Sequence, residues 1–442
     1  MNNTIKLAVA AALLAGASSA NAGIMIPAGD WTLDIGGIVN TYYTHTNHSG
    51  EQHGAGYGGA LYTIANGLGA GAENDRSVSN ITTGLLPNYL SVSGKTRQYD
   101  LDVGFTISIN PGSSTRNAGI QGSNQENRQA FLTFGDKSWG SIKLGKDLGI
   151  FASDAILNDM TLLGVGSGAG GLAGNTTTTG RIGTGFMYAD WKSQVAYSSP
   201  NWNGFSFTAG VTQAWNAIAV GSVGGSATNT DRGGSQPAFE GKASYEWAGD
   251  VGGKVWVSAL TQKVEGLGAT AASPAGFSSS IATGALVITP VAAKAASKGR
   301  DDRATAFDIG TTVNIAGFGL TGYYYNGDGI GQTVNLNHGF DANGKSRDSD
   351  GWYLQGTYTL PGVGTKLGVS YGQSTLDGNR ADAVLDELED SMWTVGAYHP
   401  ITKHLNLVAE YSDVRSDFQR KGALSDLEAK AKTVSLGAIL FF

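Results

Sequence analysis

Few residues in this chain could do chemistry, and they are scattered. There is no cysteine, which excludes a thiolate nucleophile, a disulfide framework and a cysteine-ligated zinc or iron–sulfur centre. His45, His48 and His53 lie close enough to share a transition metal, but their Gly-rich surroundings fix none of them, so no metal is expected. His399 and His404 flank a short turn with no serine placed to complete an acyl-transfer triad, so the chain does not read as an enzyme. The run Gly339-Phe340-Asp341-Ala342-Asn343-Gly344-Lys345-Ser346 matches the P-loop pattern letter by letter. A phosphate cradle needs a buried strand before it and a helix after it; here a polar stretch follows, then a strand from Trp352, and nucleotide binding is rejected. Gly54-x-Gly56-x-x-Gly59 fails as a dinucleotide fingerprint for the same reason, and no cofactor is expected.

What remains is charge in a regular setting. Lys95 and Arg97 alternate with Tyr89, Ser91 and Ser93 on one face of a strand, and Lys143 alternates with Ser141 and Gly145. Lys242 and Lys254 also fall on polar faces, as do the acids Asp100, Asp102, Glu240, Glu246, Asp308 and Glu410. Arg128 has no defined side, because both alternating sets around it are mixed. With 29 basic against 36 acidic residues and only 15% of residues charged, no nucleic-acid partner is expected.

The elements that must carry these charges are strands. Leu101-Val103-Phe105-Ile107-Ile109 stands against Asp100, Asp102, Gly104, Thr106 and Ser108, and Phe239-Gly241-Ala243-Tyr245-Trp247 stands against Glu240, Lys242, Ser244 and Glu246. The same two-residue period recurs through the chain to Val434-Leu436-Ala438-Leu440-Phe442. Short links (94–98, 136–138, 200–204, 248–252, 316–317, 361–364, 400–404) alternate with long ones (46–87, 111–126, 147–185, 214–237, 264–303, 327–350, 375–390, 417–431). Seven short turns and eight long loops require sixteen strands. A soluble sandwich has no reason to keep that strict alternation, whereas a membrane barrel with periplasmic turns and outer loops produces it. Aromatic residues such as Trp31, Tyr42, Trp247, Tyr323, Trp352 and Trp393 fall near strand ends, as an interfacial girdle would.

At the N-terminus, Lys6, the apolar run Leu7–Gly16 and Ala20-Asn21-Ala22 form a secretory signal peptide over residues 1–22, leaving one barrel domain over 23–442. The acidic run Asp382–Asp390 has apolar residues at helical spacing and predicts a short helix on the seventh loop. Such a run is ordinarily solvated; its alternative use is to hold divalent cations that bridge to lipopolysaccharide.

Several segments resemble the Gram-negative general porins, the trimeric sixteen-stranded family, over essentially the whole mature chain. Gly29-Asp30-Trp31-Thr32-Leu33-Asp34-Ile35-Gly36-Gly37 is similar to the family's opening strand. Asn127-Arg128-Gln129-Ala130-Phe131-Leu132, continuing through Gly140-Ser141-Ile142-Lys143-Leu144-Gly145-Lys146, resembles the hairpin before its inward-folded third loop. That loop, about 147–185, lacks the usual Pro-Glu-Phe-Gly type segment and is stretched by 164–185. The resemblance implies an all-β fold: a sixteen-stranded antiparallel transmembrane β-barrel with short periplasmic turns, long outer loops and a constriction loop folded inward. It implies a homotrimer in the outer membrane, among lipid and lipopolysaccharide, passing ions and small hydrophilic solutes by passive diffusion. It places Arg128 with Lys95, Arg97 and Lys143 on a basic wall opposite Asp154 and Asp159 of the third loop, and it makes Phe442 the signal read by the outer-membrane assembly machinery. The alternatives within reach are a pore selective for small organic anions and a structural or adhesin-type barrel. Acids and bases on the polar faces nearly balance, which leaves the sign of ion selectivity open.

Overall fold

Strands that show one apolar and one polar face to two different solvents, with no edge left unpaired, can only close on themselves. The computed structural model describes residues 23–50, 76–113, 125–167, 177–216, 234–269, 272–282, 285–333, 336–422 and 424–442. The signal peptide, His53 and Gly54–Gly59 lie outside them. The barrel strands are β1 (Trp31–Gly50), β2 (Arg76–Thr82 and Tyr89–Gln98), β3 (Leu101–Pro111), β4 (Ala130–Asp136), β5 (Gly140–Leu148), β6 (Trp191–Ser198), β7 (Phe205–Thr212) and β8 (Ala238–Trp247). They continue as β9 (Val251–Leu267), β10 (Arg300–Ile315), β11 (Phe318–Asp328), β12 (Asp348–Thr359), β13 (Lys366–Asp377), β14 (Leu385–Pro400), β15 (Leu405–Arg420) and β16 (Leu427–Phe441).

Each strand pairs antiparallel with its sequence neighbour, and β16 returns to β1 from Ile38↔Phe441 to Gly50↔Ala429. An N-terminal arm, Ile24–Ala28, pairs with the inner half of β1 below the end of β16. Reciprocal bonds between Gly37 and Phe442, at 2.7 and 3.0 Å, make the junction. The result is a closed sixteen-stranded barrel with eight outer loops, here L1 to L8, and seven inner turns.

The pleat sorts side chains as the sequence alternation implies. On β9, Val255 and Val257 face outward, exposed, while Trp256, Ser258, Leu260 and Gln262 face the lumen, buried. Lumen-facing Trp256, Leu260, Val264, Tyr323, Tyr325 and Tyr353 break the polar-inside rule on β9–β12, and they do so because L3 and L6 pack over them. Tyr42 and Tyr323 belong to this interior, not to the aromatic girdle where sequence position put them.

Two local expectations are corrected. The first inner link is not 94–98: β2 runs on to Gln98, and the turn is the two-residue Tyr99-Asp100, both at positive φ (50° and 65°), the geometry that matches strand twist in a tight hairpin. The acidic run forms no helix on L7; from Leu385 it is β14. A bulge between Leu385 and Glu387 adds one residue, so Leu385 and Leu388, three apart, turn to the same side against Leu376 and Phe418. That bulge imitates helical spacing.

Candidate functional site

L3 leaves β5 at Gly149 and lies inside the lumen, where carboxylates of the far wall hold it. Glu240 on β8 accepts the backbone N–H groups of Ile150 and Phe151, both at 2.8 Å, on one oxygen. Its other oxygen accepts Thr212 Oγ1 at 2.7 Å and pairs with Lys192 Nζ at 2.5 Å. The Lys192 ammonium also sits 3.3 Å from the centre of the Trp215 ring. Glu410 on β15 repeats the device further along L3: Val165 N and Gly166 N donate to one oxygen at 2.7 and 2.9 Å, and Tyr398 OH donates to the other at 2.6 Å. A Cβ at residue 164 would meet Glu410 Oε1 at 2.2 Å, so any larger residue there has to displace the clamping carboxylate.

Between the two carboxylates a single helical turn, Ser153–Leu157, carries Asp154 into the wall between Lys242 and Lys254, at 3.1 and 2.7 Å. Burial pushes the Asp154 carboxyl up, and the two ammonium groups more than reverse that, holding it below the ordinary carboxylate range. Asp159 caps the following 3-10 turn, accepting Thr161 N and Oγ1 at 3.0 and 2.6 Å. Arg181, on the returning limb of L3, is fully buried, donates to Ser370 Oγ and the Met392 carbonyl at 2.7 and 3.1 Å, and lies over Tyr353. Apolar side chains of L3, among them Phe151, Ile156, Ile182 and Phe186, fill the space against β9–β12.

The expected basic residues do not meet those acids. Lys95 is exposed on the lumen face near the inner end of β2. Arg97 belongs to the inner rim, paired with Asp102 and Asp136 at 2.8 and 2.9 Å and with Asp100 at 3.9 Å. Arg128 precedes β4 at its outer end, buried, with its guanidinium on Glu126 at 2.7 Å, Thr177 Oγ1 at 3.3 Å and the Trp191 ring. A break between Glu126 and Ala130 is what left its side ambiguous in sequence. Lys143 pairs with Asp147 and lies over Phe131. Asp154 is turned into the opposite wall, and Asp159 is bonded within L3 itself.

Two of the motifs set aside in the sequence fall on described residues. His45 and His48 sit on opposite faces of β1. In the P-loop-like segment, Asp341 Oδ1 accepts the backbone N–H groups of Asn343 and Lys345, both at 2.8 Å, so the loop's own carboxylate fills the place a phosphate would take.

A model of the Gram-negative porin family matches residues 8–419. The chain belongs to that family. No curated protein sequence matches it. Among solved structures, the outer membrane channel DcaP of Acinetobacter baumannii aligns at 15% identity and a TM-score of 0.59, covering 95% of this chain and 100% of that one. The anion-selective porin from Comamonas acidovorans aligns at 14% and 0.56 over 93% and 100%, and the outer-membrane OmpT of Vibrio cholerae at 14% and 0.52 over 95% and 100%. At such identities these structures speak for the fold. The porin is an outer-membrane channel for passive diffusion of small solutes.

Sequence alternation had placed Glu240, Glu410, Lys242 and Lys254 on polar faces, but not in the role of holding L3. Lys192, Arg181 and Arg347 were not singled out at all. A signal did exist for the packing of L6 over β9–β12: Ile330, Leu336 and Phe340 are large apolar residues inside a loop otherwise rich in Gly and Asn.

Proposed function

We propose that the porin is a general diffusion pore for ions and small hydrophilic solutes, with L3 bounding the narrow passage on one side and the wall of β1–β5, carrying Lys95, Arg97, Arg128 and Lys143, on the other. The observation that carries this reading is the pairing of lumen charge. Lys143 meets Asp147, Lys242 and Lys254 meet Asp154, Lys254 also lies 3.4 Å from Glu246, and Arg97 meets three carboxylates. Opposite charges interleaved in this way weaken the net field and leave no concentrated single-sign patch for one substrate. One structural relative is an anion-selective porin; the interleaved charges here favour weak selectivity. A salt-gradient recording in a planar bilayer tests this: stable pores with a cation-to-anion permeability ratio within about threefold of unity agree with it. Strong selectivity of either sign, or block by a dilute organic anion, overturns it.

We read the barrel as a channel without catalysis; His399, the histidine on a barrel strand nearest the inner rim, is bonded to Thr365 Oγ1 at 2.8 Å. A homotrimer is supported by wall height. Strands β4, β6 and β7 have 7, 8 and 8 residues and β5 just reaches 9, whereas about 9–11 are needed to cross the hydrocarbon layer. Other copies of the chain would cover that low wall, where a depression of about 650 Å³ lined by Ile142, Val195 and Val211 continues onto Phe239 of β8 and Ala259 of β9. Lipid and lipopolysaccharide then surround the taller wall, and Phe442, closing the β1–β16 seam, serves the assembly machinery.

A further inference from the structure

L3 is not the only loop inside the barrel. Of L6, residues 329–333 and 336–347 are described. Ile330, Gln332, Thr333, Leu336, Asn337, Phe340 and Arg347 are all buried, leaving Ala342, Asn343 and Lys345 at the surface. Ile330, Leu336 and Phe340 join the apolar cluster formed by L3 and β9–β12. The returning limb of L3 is bonded to L6 directly: Tyr188 N donates to the Thr333 carbonyl at 2.8 Å, Thr333 N to the Gly185 carbonyl at 3.4 Å, and Thr333 Oγ1 to the Ile182 carbonyl at 3.2 Å. Gln332 Nε2 ties L6 to Asp390 on β14 at 3.1 Å. At its far end Arg347 forms a two-point ion pair with Asp382 of L7, its Nε at 2.9 Å, and donates to the His338 carbonyl at 2.9 Å.

Within this short span Thr333, Leu336 and His338 have φ of 56°, 56° and 61°. Left-handed backbone at three non-glycine residues, one of them β-branched, persists only where the surroundings over-determine it. We propose that L6 is a second constriction element: it and the returning limb of L3 form one body that sets the size cut-off, and the Arg347–Asp382 pair is the clasp that keeps this body in the lumen. Thr333 and Arg347 are positioning residues. The inference rests on the channel reading but goes beyond it, because L3 alone would otherwise define the cut-off.

Two substitutions in the full-length porin test it, Asp382→Asn to open the clasp and Phe340→Asp to place a charge in the apolar cluster. Arg415→Ala, which removes two ion pairs on the outward face, with Asp417 and Glu428, is the control. Single-channel conductance and swelling of porin-loaded liposomes in uncharged sugars of graded size are read together. The expected result is a conductance roughly twofold higher and entry of larger sugars for both variants, with the control unchanged, because conduction follows the narrowest cross-section. Because the chain has no cysteine, Ile182→Cys with Thr333→Cys in the Asp382→Asn background adds a reversible arm: a short thiol cross-linker restores the wild-type cut-off, and its reduction releases it. Folded variants with wild-type conductance and sugar cut-off, or a cross-link without effect, overturn the proposal. Absence of pores in the wild-type protein strikes the channel reading instead.

Discussion

Replacing Glu240 by Gln separates a structural carboxylate from an ornamental one. In the native lumen the Glu240 side chain is wholly buried and its partner Lys192 is only 2% exposed. Taking one partner from such a pair leaves an uncompensated buried charge and costs about 3–5 kcal/mol. Glutamine keeps one acceptor oxygen for the N–H groups of Ile150 and Phe151, but its amide then points N–H at the Lys192 ammonium, so the loss is not recovered by rotation. The barrel has many ladders in reserve, and the deficit falls on the contact that depends on Glu240, the first limb of L3. At about 1.4 kcal/mol per decade, the detached limb becomes roughly a hundred to a few thousand times more populated. The assay is a double-mutant cycle with Lys192→Met, read by denaturant unfolding and by open-channel current noise. Glu240→Gln should raise the noise sharply, and the double variant should recover part of the loss, with a coupling above about 1.5 kcal/mol. Coupling below about 0.5 kcal/mol with unchanged noise would refute the claim that this carboxylate holds L3.

Four further outcomes follow from the same geometry. Asp154→Asn leaves Lys242 and Lys254 without their shared carboxylate, so the reversal potential in a salt gradient should move toward anion preference; Lys143→Glu, which adds a carboxylate beside Asp147, should move it toward cations. Gly164→Ala should cost about 2 kcal/mol or more by pressing a methyl group onto Glu410, seen as a lower unfolding midpoint, and Glu410→Ala in the same chain should relieve the clash. Acid should loosen L6: burial, and then the Arg347 guanidinium, hold His338 down at about 3, while in a released loop it returns to about 6.5. The released state therefore binds more protons between these values, and docking weakens as pH falls from about 6.5 toward 3, by up to about 1.4 kcal/mol per pH unit. Conductance of the wild-type porin should change over that window, and His338→Gln should flatten the change.

Much of the barrel was legible because period-two alternation is a local consequence of where successive Cβ atoms point, and turn and loop lengths are written directly in the chain. Strand number, closure and the sides of Lys143, Lys242 and Glu410 follow from that alone. Where a bulge or a break interrupts the count, as before Glu387 and beside Arg128, parity loses its meaning and the reading fails. Asp154 and Asp159 show the deeper limit. Sequence places them on the third loop, but which wall a loop leans on is decided by partners 88 to 245 residues away, Lys242, Lys254 and the Glu410 clamp. The sequence by itself determined a sixteen-stranded pore with charge on its inner faces. Only the tertiary structure decided that Glu240, Glu410, Lys242 and Lys254 among these charges hold L3 in place, because compensation between groups depends on distance, and distance across the lumen is set by closure of the barrel.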